Sequence, residues 1–151
     1  MMRKASYMEL AFEQAELAAA RGEVPVGAVL VHDNTIIASD GNRTLEMKDP
    51  TAHAEVLVIR AACNALNSER LPDCDLYVTL EPCPMCAATI SFARIRRLYF
   101  GALDVKSGAV ENGVRYFNSP TCHHAPDVYS GMMEQEASHI LKQFFKQKRE
   151  A

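Results

Sequence analysis

The chain has 151 residues, the length of one ordinary domain. Its composition, 48% hydrophobic and 23% charged, is that of a globular protein, and no apolar run approaches the ~18 residues that a membrane span needs. The net charge of −3 argues against a general nucleic-acid coat, although it leaves room for a local basic patch.

The first predicted element is a helix. Ser6 and Glu9 have the spacing of a capping box, so we expect the helix to begin there, run to Arg21 and stop at Gly22. The segments VGAVLVH and TIIASDG are rich in β-branched residues and flank residues 33–34, Asp-Asn, which predicts a hairpin. The first of these segments is apolar on both faces and should therefore be a central strand.

Helices and strands then alternate. The predicted order is a helix in DPTAHAEVLVIRAACNAL, a strand in DLYVTL, a helix in CPMCAATISFARI, a strand in RLYFG, an irregular stretch from Lys106 to Ser130, and a final helix from about Met133. This alternation predicts an α/β fold, a three-layer α/β/α sandwich around a mixed, mostly parallel sheet of about five strands with the hairpin at one side. Because no linker or repeat is visible, we expect residues 1–151 to form a single catalytic domain, with no membrane anchor and no secretory leader.

The segments HAE and EPCPMC contain three residues that bind soft metals: His53, Cys83 and Cys86. A C-x-x-C pair at a helix start places both sulfurs on one side, and the free N–H groups there favour thiolates. Three protein ligands leave a fourth position open for water, which is typical of catalytic zinc. We therefore expect one Zn²⁺ per chain, with Glu55 as general base and then general acid rather than as a ligand.

Two alternatives to this catalytic site stay open at the level of sequence. A structural zinc site would need a fourth ligand, for which the candidates are Cys63, Cys74, Cys122, His123 and His124. The segment TCHH could instead form a metal site of its own, although short Cys/His tracts are often loop residues. A closed site would leave Glu55 without a role, which favours the catalytic interpretation.

The pattern H-x-E followed by P-C-x-x-C is the signature of zinc-dependent nucleobase deaminases. The segments GEVPVGAVLV, GNRTLEMKDPTAHAE, LYVTLEPCPMCAATI and YFGALDVKSGA resemble the bacterial tRNA-specific adenosine deaminase family, and the resemblance covers almost the whole chain. It implies the cytidine-deaminase-like fold of the cytidine/deoxycytidylate deaminase superfamily. It also implies a cytoplasmic homodimer that converts adenosine to inosine at the wobble position of a tRNA anticodon stem-loop, with AATISFA as core or dimer interface.

The resemblance further implies a role for each matched residue. Zinc hydroxide held by His53, Cys83 and Cys86 attacks C6 of the adenine, Glu55 shuttles the protons, and ammonia leaves. The matched substrate-binding positions are Pro25, Val26, Asn42, Ala54, Asp104, Lys106, Phe145 and Arg149. The Asn42 amide can read a base edge, and an acidic side chain such as Asp104 suits a ribose 2′-hydroxyl.

The basic residues of two segments are expected near RNA phosphates, namely Arg94 and Arg97 in SFARIRR and Lys142, Lys146, Lys148 and Arg149 in the final helix. Their alternative role is a solvated helix face. Two other function classes stay open: a deaminase of a free base or nucleoside, such as guanine or cytosine, and a non-enzymatic zinc module that binds nucleic acid. The proton-shuttling Glu55 disfavours the module, and the EVPVGAV segment and basic tail disfavour the free-base deaminase.

Overall fold

The computed structural model describes residues 3–150, and its strands there form one sheet in the order β2-β1-β3-β4-β5. β1 is antiparallel to both of its neighbours, whereas β3, β4 and β5 are mutually parallel. Four strands therefore share one direction and only β1 runs against them, so the mixed, mostly parallel sheet of about five strands is confirmed. The strands are β1 Gly27–His32, β2 Thr35–Gly41, β3 Cys74–Leu80, β4 Arg97–Ala102 and β5 Asp127–Ser130.

Helices cover both faces of the sheet, which confirms the α/β/α sandwich. Helices α1 and α5 pack on one face, and α3 packs on the other with α4 beside it. None of the helices in the described part of the chain has the length and apolar character needed to cross a membrane. The helices are α1 Lys4–Ala20, α2 Thr44–Met47, α3 Ala54–Leu66, α4 Pro84–Phe92 and α5 Glu134–Glu150, with a 3₁₀ turn at Tyr116–Asn118.

Strand β1 is buried on both faces, as its sequence predicts. Ala28 and Leu30 belong to the core beneath α3, whereas Val29 and Val31 belong to the core beneath α1. Successive side chains of a strand point to opposite faces, so one run of apolar residues joins the two cores. The hairpin that follows is also confirmed, because Asp33 and Asn34 both have positive φ, as the tight turns of hairpins favour.

The expected capping box is wrong. Helix α1 begins at Lys4, and its N-cap residue Arg3 makes no side-chain capping bond. The Ser6 N–H already donates to the Arg3 carbonyl at 2.9 Å, so Ser6 and Glu9 lie inside the helix. The stop at Gly22 is confirmed, since its φ of 85° is the left-handed conformation that glycine adopts most easily.

The helix expected after Pro50 begins later, at Ala54, with His53 as its N-cap residue. Before it the chain forms a turn in which the Asp49 carboxylate accepts bonds from both the N–H and the hydroxyl of Thr51. Asx turns of this kind compete with helical hydrogen bonding. This delay has a functional consequence, because it places His53 at the N-cap position of the helix rather than within its first turn.

Candidate active site

Three side chains meet at the carboxyl end of β3. His53 is the N-cap residue of α3, Cys83 is the N-cap residue of α4, and Cys86 lies in the first turn of α4. The Nδ1 atom of His53 lies 3.7 Å from Sγ of Cys83 and 3.5 Å from Sγ of Cys86. Pro84 occupies the first turn of α4, where a missing N–H costs nothing. Two helix N-termini therefore converge on one point.

The donor set and its spacing fit zinc. In a tetrahedral site with usual Zn–N and Zn–S bonds, nitrogen and sulfur lie about 3.6 Å apart. A hydrogen bond from Cys86 and another from His53 outweigh burial and lower the pKa of Cys83 to about 4, so this thiol is ionised at neutral pH. The hydrogen bond to Cys83 raises the pKa of His53 above its usual value. Two cysteines that bind as thiolates and one imidazole are a donor set that zinc takes.

The alternative ligands lie elsewhere. Within residues 3–150, no other group of three or more His, Cys, Asp or Glu residues brings its ligand atoms as close together. His124 donates a hydrogen bond from Nε2 to the Ile95 carbonyl at 2.7 Å, and the Cys122 thiol donates to the His124 carbonyl at 3.1 Å. The fourth-ligand hypothesis and the separate TCHH site are therefore both wrong for the described chain.

Glu55, the second residue of α3, is only 4% exposed. Its Oε1 atom is buried and has no hydrogen-bond partner. Burial raises the pKa of Glu55 to about 7, with smaller opposing contributions from its own backbone N–H and from His53. A buried carboxyl oxygen without a partner is costly for stability and is typical of a site where the group meets a ligand or a proton.

The expected base-binding residues are linked to one another by hydrogen bonds. The Oδ1 atom of Asn42 accepts a bond from the Ala54 N–H at 2.8 Å, and the Asn42 N–H donates to the Val26 carbonyl at 3.1 Å. Pro25 and Val26 are buried just ahead of β1, beside the end of β3. The Ala54 N–H is therefore already engaged, and Asn42 presents its Nδ2 donor as the free half of its amide.

A cavity of about 960 Å³ runs along α5, and its wall includes Leu80, three residues before Cys83 in the chain. Leu80 and Ala102, the last residues of β3 and β4, form part of its wall. Its rim is cationic, because Lys106, Lys142, Lys148 and Arg149 all line it, and the 44% exposed ring of Phe145 lies on the same side. We call this cavity the α5 groove. It brings together four of the predicted substrate-binding residues, Asp104, Lys106, Phe145 and Arg149.

Arg94 and Arg97, which are expected near RNA phosphates, lie away from the metal-ligand cluster within this chain. Arg97 is the first residue of β4 and lies 3.7 Å from Asp75, at the amino end of β3. Arg94 donates from Nη1 to the Ser91 carbonyl at the far end of α4. Parallel strands advance about 3.3 Å per residue, so these arginines lie a full strand length from the Cys83 end of the sheet.

Two buried carboxylates near the site are not predicted by the sequence. Glu23 is 1% exposed and accepts bonds from the N–H groups of Leu45 and Glu46, which begin α2. Glu81 is 2% exposed and accepts five hydrogen bonds from the loop that follows β4. Burial disfavours the ionised form of Glu81, but these bonds outweigh burial and lower its pKa. Their only sequence signal is an acidic residue inside an apolar segment, GEVPV or TLEPC.

Comparison with known proteins places this site in a class. Residues 1–102 match the family described as the cytidine and deoxycytidylate deaminase zinc-binding region. Together with the fold and the His53, Cys83 and Cys86 cluster, the match defines a zinc-binding deaminase.

The chain is 65% identical over 149 residues to the tRNA-specific adenosine deaminase of Agrobacterium fabrum, covering 99% of this chain and 98% of the relative. A structure from studies of A-to-I editing by tRNA:A34 deaminases at the wobble position matches with a TM-score of 0.90 and 66% identity, covering 91% of this chain and 100% of that one. A guanine deaminase from Bacillus subtilis is more distant, at 31% identity and a TM-score of 0.67, covering 99% and 96% of the two chains. The chain belongs to the tRNA-specific adenosine deaminase family.

Proposed function

We propose that this chain, acting as a single catalytic domain, deaminates adenosine to inosine by hydrolysis at the wobble position of a tRNA anticodon. One observation carries the proposal: a three-ligand metal cluster with an unpartnered, buried Glu55 oxygen lies beyond the carboxyl end of β3, and the last residue of that strand, Leu80, lines a cationic groove. The cluster supports hydrolytic chemistry, and the groove supports a polyanionic substrate larger than one base.

The reaction replaces the C6 amino group of adenine by oxygen from water and releases ammonia. Zinc bound by His53, Cys83 and Cys86 supplies Lewis acidity, which lowers the pKa of a water molecule. Glu55 can accept the first proton of the attacking water and pass it to N1 of the purine, and then carry the second proton from the new C6 hydroxyl to the leaving amine. Burial suits Glu55 to this work, because a pKa of about 7 lets it both take and return protons at neutral pH.

Asn42 is the proposed reader of the base. Its Oδ1 atom is committed to Ala54, so Nδ2 is the group that donates to an acceptor on the purine edge. Pro25 and Val26 form the proposed apolar wall beside it, since both precede β1 at the site edge. A base that enters this pocket must leave the anticodon stack, which costs less in a single-stranded loop than in a duplex.

The α5 groove favours RNA over a free base as substrate. Its four cations can neutralise phosphates, and an exposed ring such as Phe145 can stack on a neighbouring base. The Oδ1 atom of Asp104 accepts bonds from the N–H groups of Lys106 and Ser107, so this carboxylate orders the groove rim as well as offering an acceptor for a 2′-hydroxyl.

We also propose a homodimer that works in the cytoplasm, where tRNA is found. Phe92 supports the dimer, because this large apolar side chain is 67% exposed at the end of α4. The five cysteines are free thiols, which supports a reducing compartment. Sedimentation of the wild type and of Phe92→Glu tests the dimer: a wild-type mass of one chain contradicts it.

The decisive experiment offers the purified zinc protein an anticodon stem-loop with a wobble adenosine, and separately free adenosine, cytidine and guanine. Ammonia release and inosine content are measured. We expect turnover of the stem-loop and none of the free compounds. Faster turnover of guanine or cytidine would replace the tRNA assignment by a free-base deaminase, and binding of RNA without any ammonia would indicate a non-enzymatic module.

A further inference from the structure

Glu81 lies in the chain between Leu80, which lines the α5 groove, and the metal ligand Cys83. It follows the last residue of β3 and precedes Cys83 by two positions. The groove rim at residues 103–107 comes from the loop after β4, 22 or more positions further along the chain. The two parts of the site are thus remote in sequence, and a physical link is needed to hold them in register.

The Glu81 carboxylate provides that link through both of its oxygens. Oε1 accepts bonds from the Asp104 N–H at 2.9 Å and from Nδ2 of Asn112 at 2.7 Å. Oε2 accepts bonds from the N–H groups of Val110, Glu111 and Asn112 at 3.1, 2.9 and 3.0 Å. Hydrogen bonds to an ionised acceptor are about twice as strong as neutral ones. One buried side chain therefore fixes both ends of the loop.

The loop is built around this carboxylate. A Cβ added at Gly108 would lie 2.5 Å from Cδ and 2.6 Å from Oε2 of Glu81, so only glycine allows the approach. The next residue, Ala109, donates its N–H to the Pro82 carbonyl at 2.9 Å. Residues 108–110 are buried while residues 105–107 are exposed. The buried half is anchored to the Glu81-Pro82 segment, and the exposed half forms the groove rim.

We propose that Glu81 is a positioning residue for RNA: its carboxylate holds the Asp104–Ser107 rim of the α5 groove at a set place relative to the metal ligands. This inference rests on the proposed function and adds to it a residue that touches neither the zinc nor the reacting base. Loss of the carboxylate should loosen RNA binding while the metal cluster and the chemical step survive.

Glu81→Gln is the sharpest test. Glutamine fills the same space, but whichever way its amide turns, the NH₂ group faces N–H donors and at least two of the five bonds disappear. We expect KM for the stem-loop to rise about tenfold or more, since two such bonds are worth well over a factor of ten. We expect kcat to stay within about threefold and zinc to stay stoichiometric, because no metal ligand changes.

Two further variants test whether the effect comes from the hydrogen bonds of Glu81. Glu111→Gln removes one carboxylate charge from the loop that Glu81 holds but keeps the backbone bond from residue 111 to Glu81, so it should behave as wild type. Asn112→Ala keeps Glu81 and removes one of the five bonds, so it should raise KM by a smaller factor and remain folded. Amide hydrogen exchange gives a direct readout, with faster exchange expected at Asp104, Val110 and Glu111 in Glu81→Gln but not in Glu111→Gln.

The outcomes separate the proposals. A wild type that leaves the stem-loop unchanged contradicts the proposed function itself. An active wild type together with an unchanged KM in Glu81→Gln overturns only the positioning role. Loss of zinc and an equal fall in kcat and kcat/KM in Glu81→Gln would also overturn it, because Glu81 would then serve the metal cluster instead of the groove.

Discussion

The Oδ1 atom of Asn42 accepts a hydrogen bond from the Ala54 N–H at 2.8 Å, across 12 positions of the chain. This bond joins the proposed base reader to the first residue of α3, between His53 and Glu55. The two halves of the Asn42 amide therefore have different roles. Its Oδ1 atom stabilises the start of α3, beside the metal ligand His53 and the proton shuttle Glu55, and its Nδ2 group is available to donate a hydrogen bond to the substrate.

Asn42→Asp and Asn42→Ala should distinguish the structural role of Oδ1 from the base-binding role of Nδ2. Asp keeps an acceptor for the Ala54 N–H but has no donor for the base, whereas Ala lacks both. We expect Asp to retain zinc and wild-type stability while kcat/KM for RNA falls by about 10- to 100-fold, and Ala to lose stability as well. Activity, zinc content and Tm are measured together. Full activity in the Asp variant would remove Asn42 from base recognition.

Glu55→Ala and Glu55→Gln test the proton shuttle. Neither change touches a metal ligand, so both variants should fold and bind one zinc. General acid–base groups contribute roughly 10²–10⁴-fold, and because Glu55 serves several transfers the fall in kcat should reach the upper end. Single-turnover inosine formation measures the chemical step. Near-normal rates in the Gln variant would assign Glu55 a structural role.

His53→Ala and Cys83→Ala should abolish stoichiometric zinc, because the remaining two donors cannot hold the ion as a three-ligand site does. Cys63→Ala is the matched control, since this thiol packs beside the core away from the cluster. Metal analysis after dialysis against a mild chelator measures the difference. Equal zinc in His53→Ala and the control would show that the metal binds elsewhere.

Charge reversal along α5 tests the groove. Lys142→Glu and Arg149→Glu alter cations that line the α5 groove, whereas Lys146→Glu alters an exposed cation of the same helix outside it. For every RNA phosphate that a variant no longer neutralises, the slope of log K against log salt should become shallower by about 0.7. Only the first two variants should show this change. If all three variants keep the wild-type slope, the cations of α5 do not contact RNA and this face of the helix is simply solvated.

Deletion of the tail is a poorer test than charge reversal. Phe144 is only 9% exposed and Lys148 lies over its ring, with Nζ 5.3 Å from the centroid. Removing α5 would expose the face of the sheet against which this helix packs. A fall in RNA turnover in such a deletion would therefore report unfolding as readily as weaker RNA binding.

Glu23 makes stability depend on pH. Burial opposes its ionisation, but bonds from the Glu46 and Leu45 N–H groups and the Thr44 hydroxyl lower its pKa below the usual value. A carboxylate with a lowered pKa stabilises the fold fully above its unfolded pKa of about 4.3, and the contribution disappears as pH falls through the folded pKa. Glu23→Gln should therefore cost about 1–3 kcal/mol at pH 7.

The measurement is urea unfolding of wild type and Glu23→Gln at pH 7 and at several values from pH 5 downwards. The gap between their free energies of unfolding should narrow as the pH falls below about 4.3. Glu46→Gln is a matched control, because it removes the exposed carboxylate that pairs with Arg43 on the surface, while the N–H of residue 46 still donates to Glu23. A gap independent of pH would show that Glu23 acts through packing alone.

Much of this molecule can be predicted from spacing along the chain. The hairpin at residues 33–34, the alternation of helices and strands, and the cluster of His53, Cys83 and Cys86 with Glu55 were all correct. These features depend on a few neighbouring residues, such as turn formers or two cysteines in one helical turn. Their geometry is local, so the order of residues is enough to imply it.

The remainder depends on how distant segments stack. Glu23 and Glu81 meet their partners across 21 to 31 positions, and nothing in GEVPV or TLEPC specifies those partners. The position of Arg97 is likewise not specified by its neighbours in sequence. Because β4 is parallel to β3, Arg97 lies beside Asp75, at the opposite end of the sheet from Cys83. Sequence determines which groups are available, but a buried carboxylate finds its donors only after the sheet brings loops together, because burial leaves it no water to bind instead.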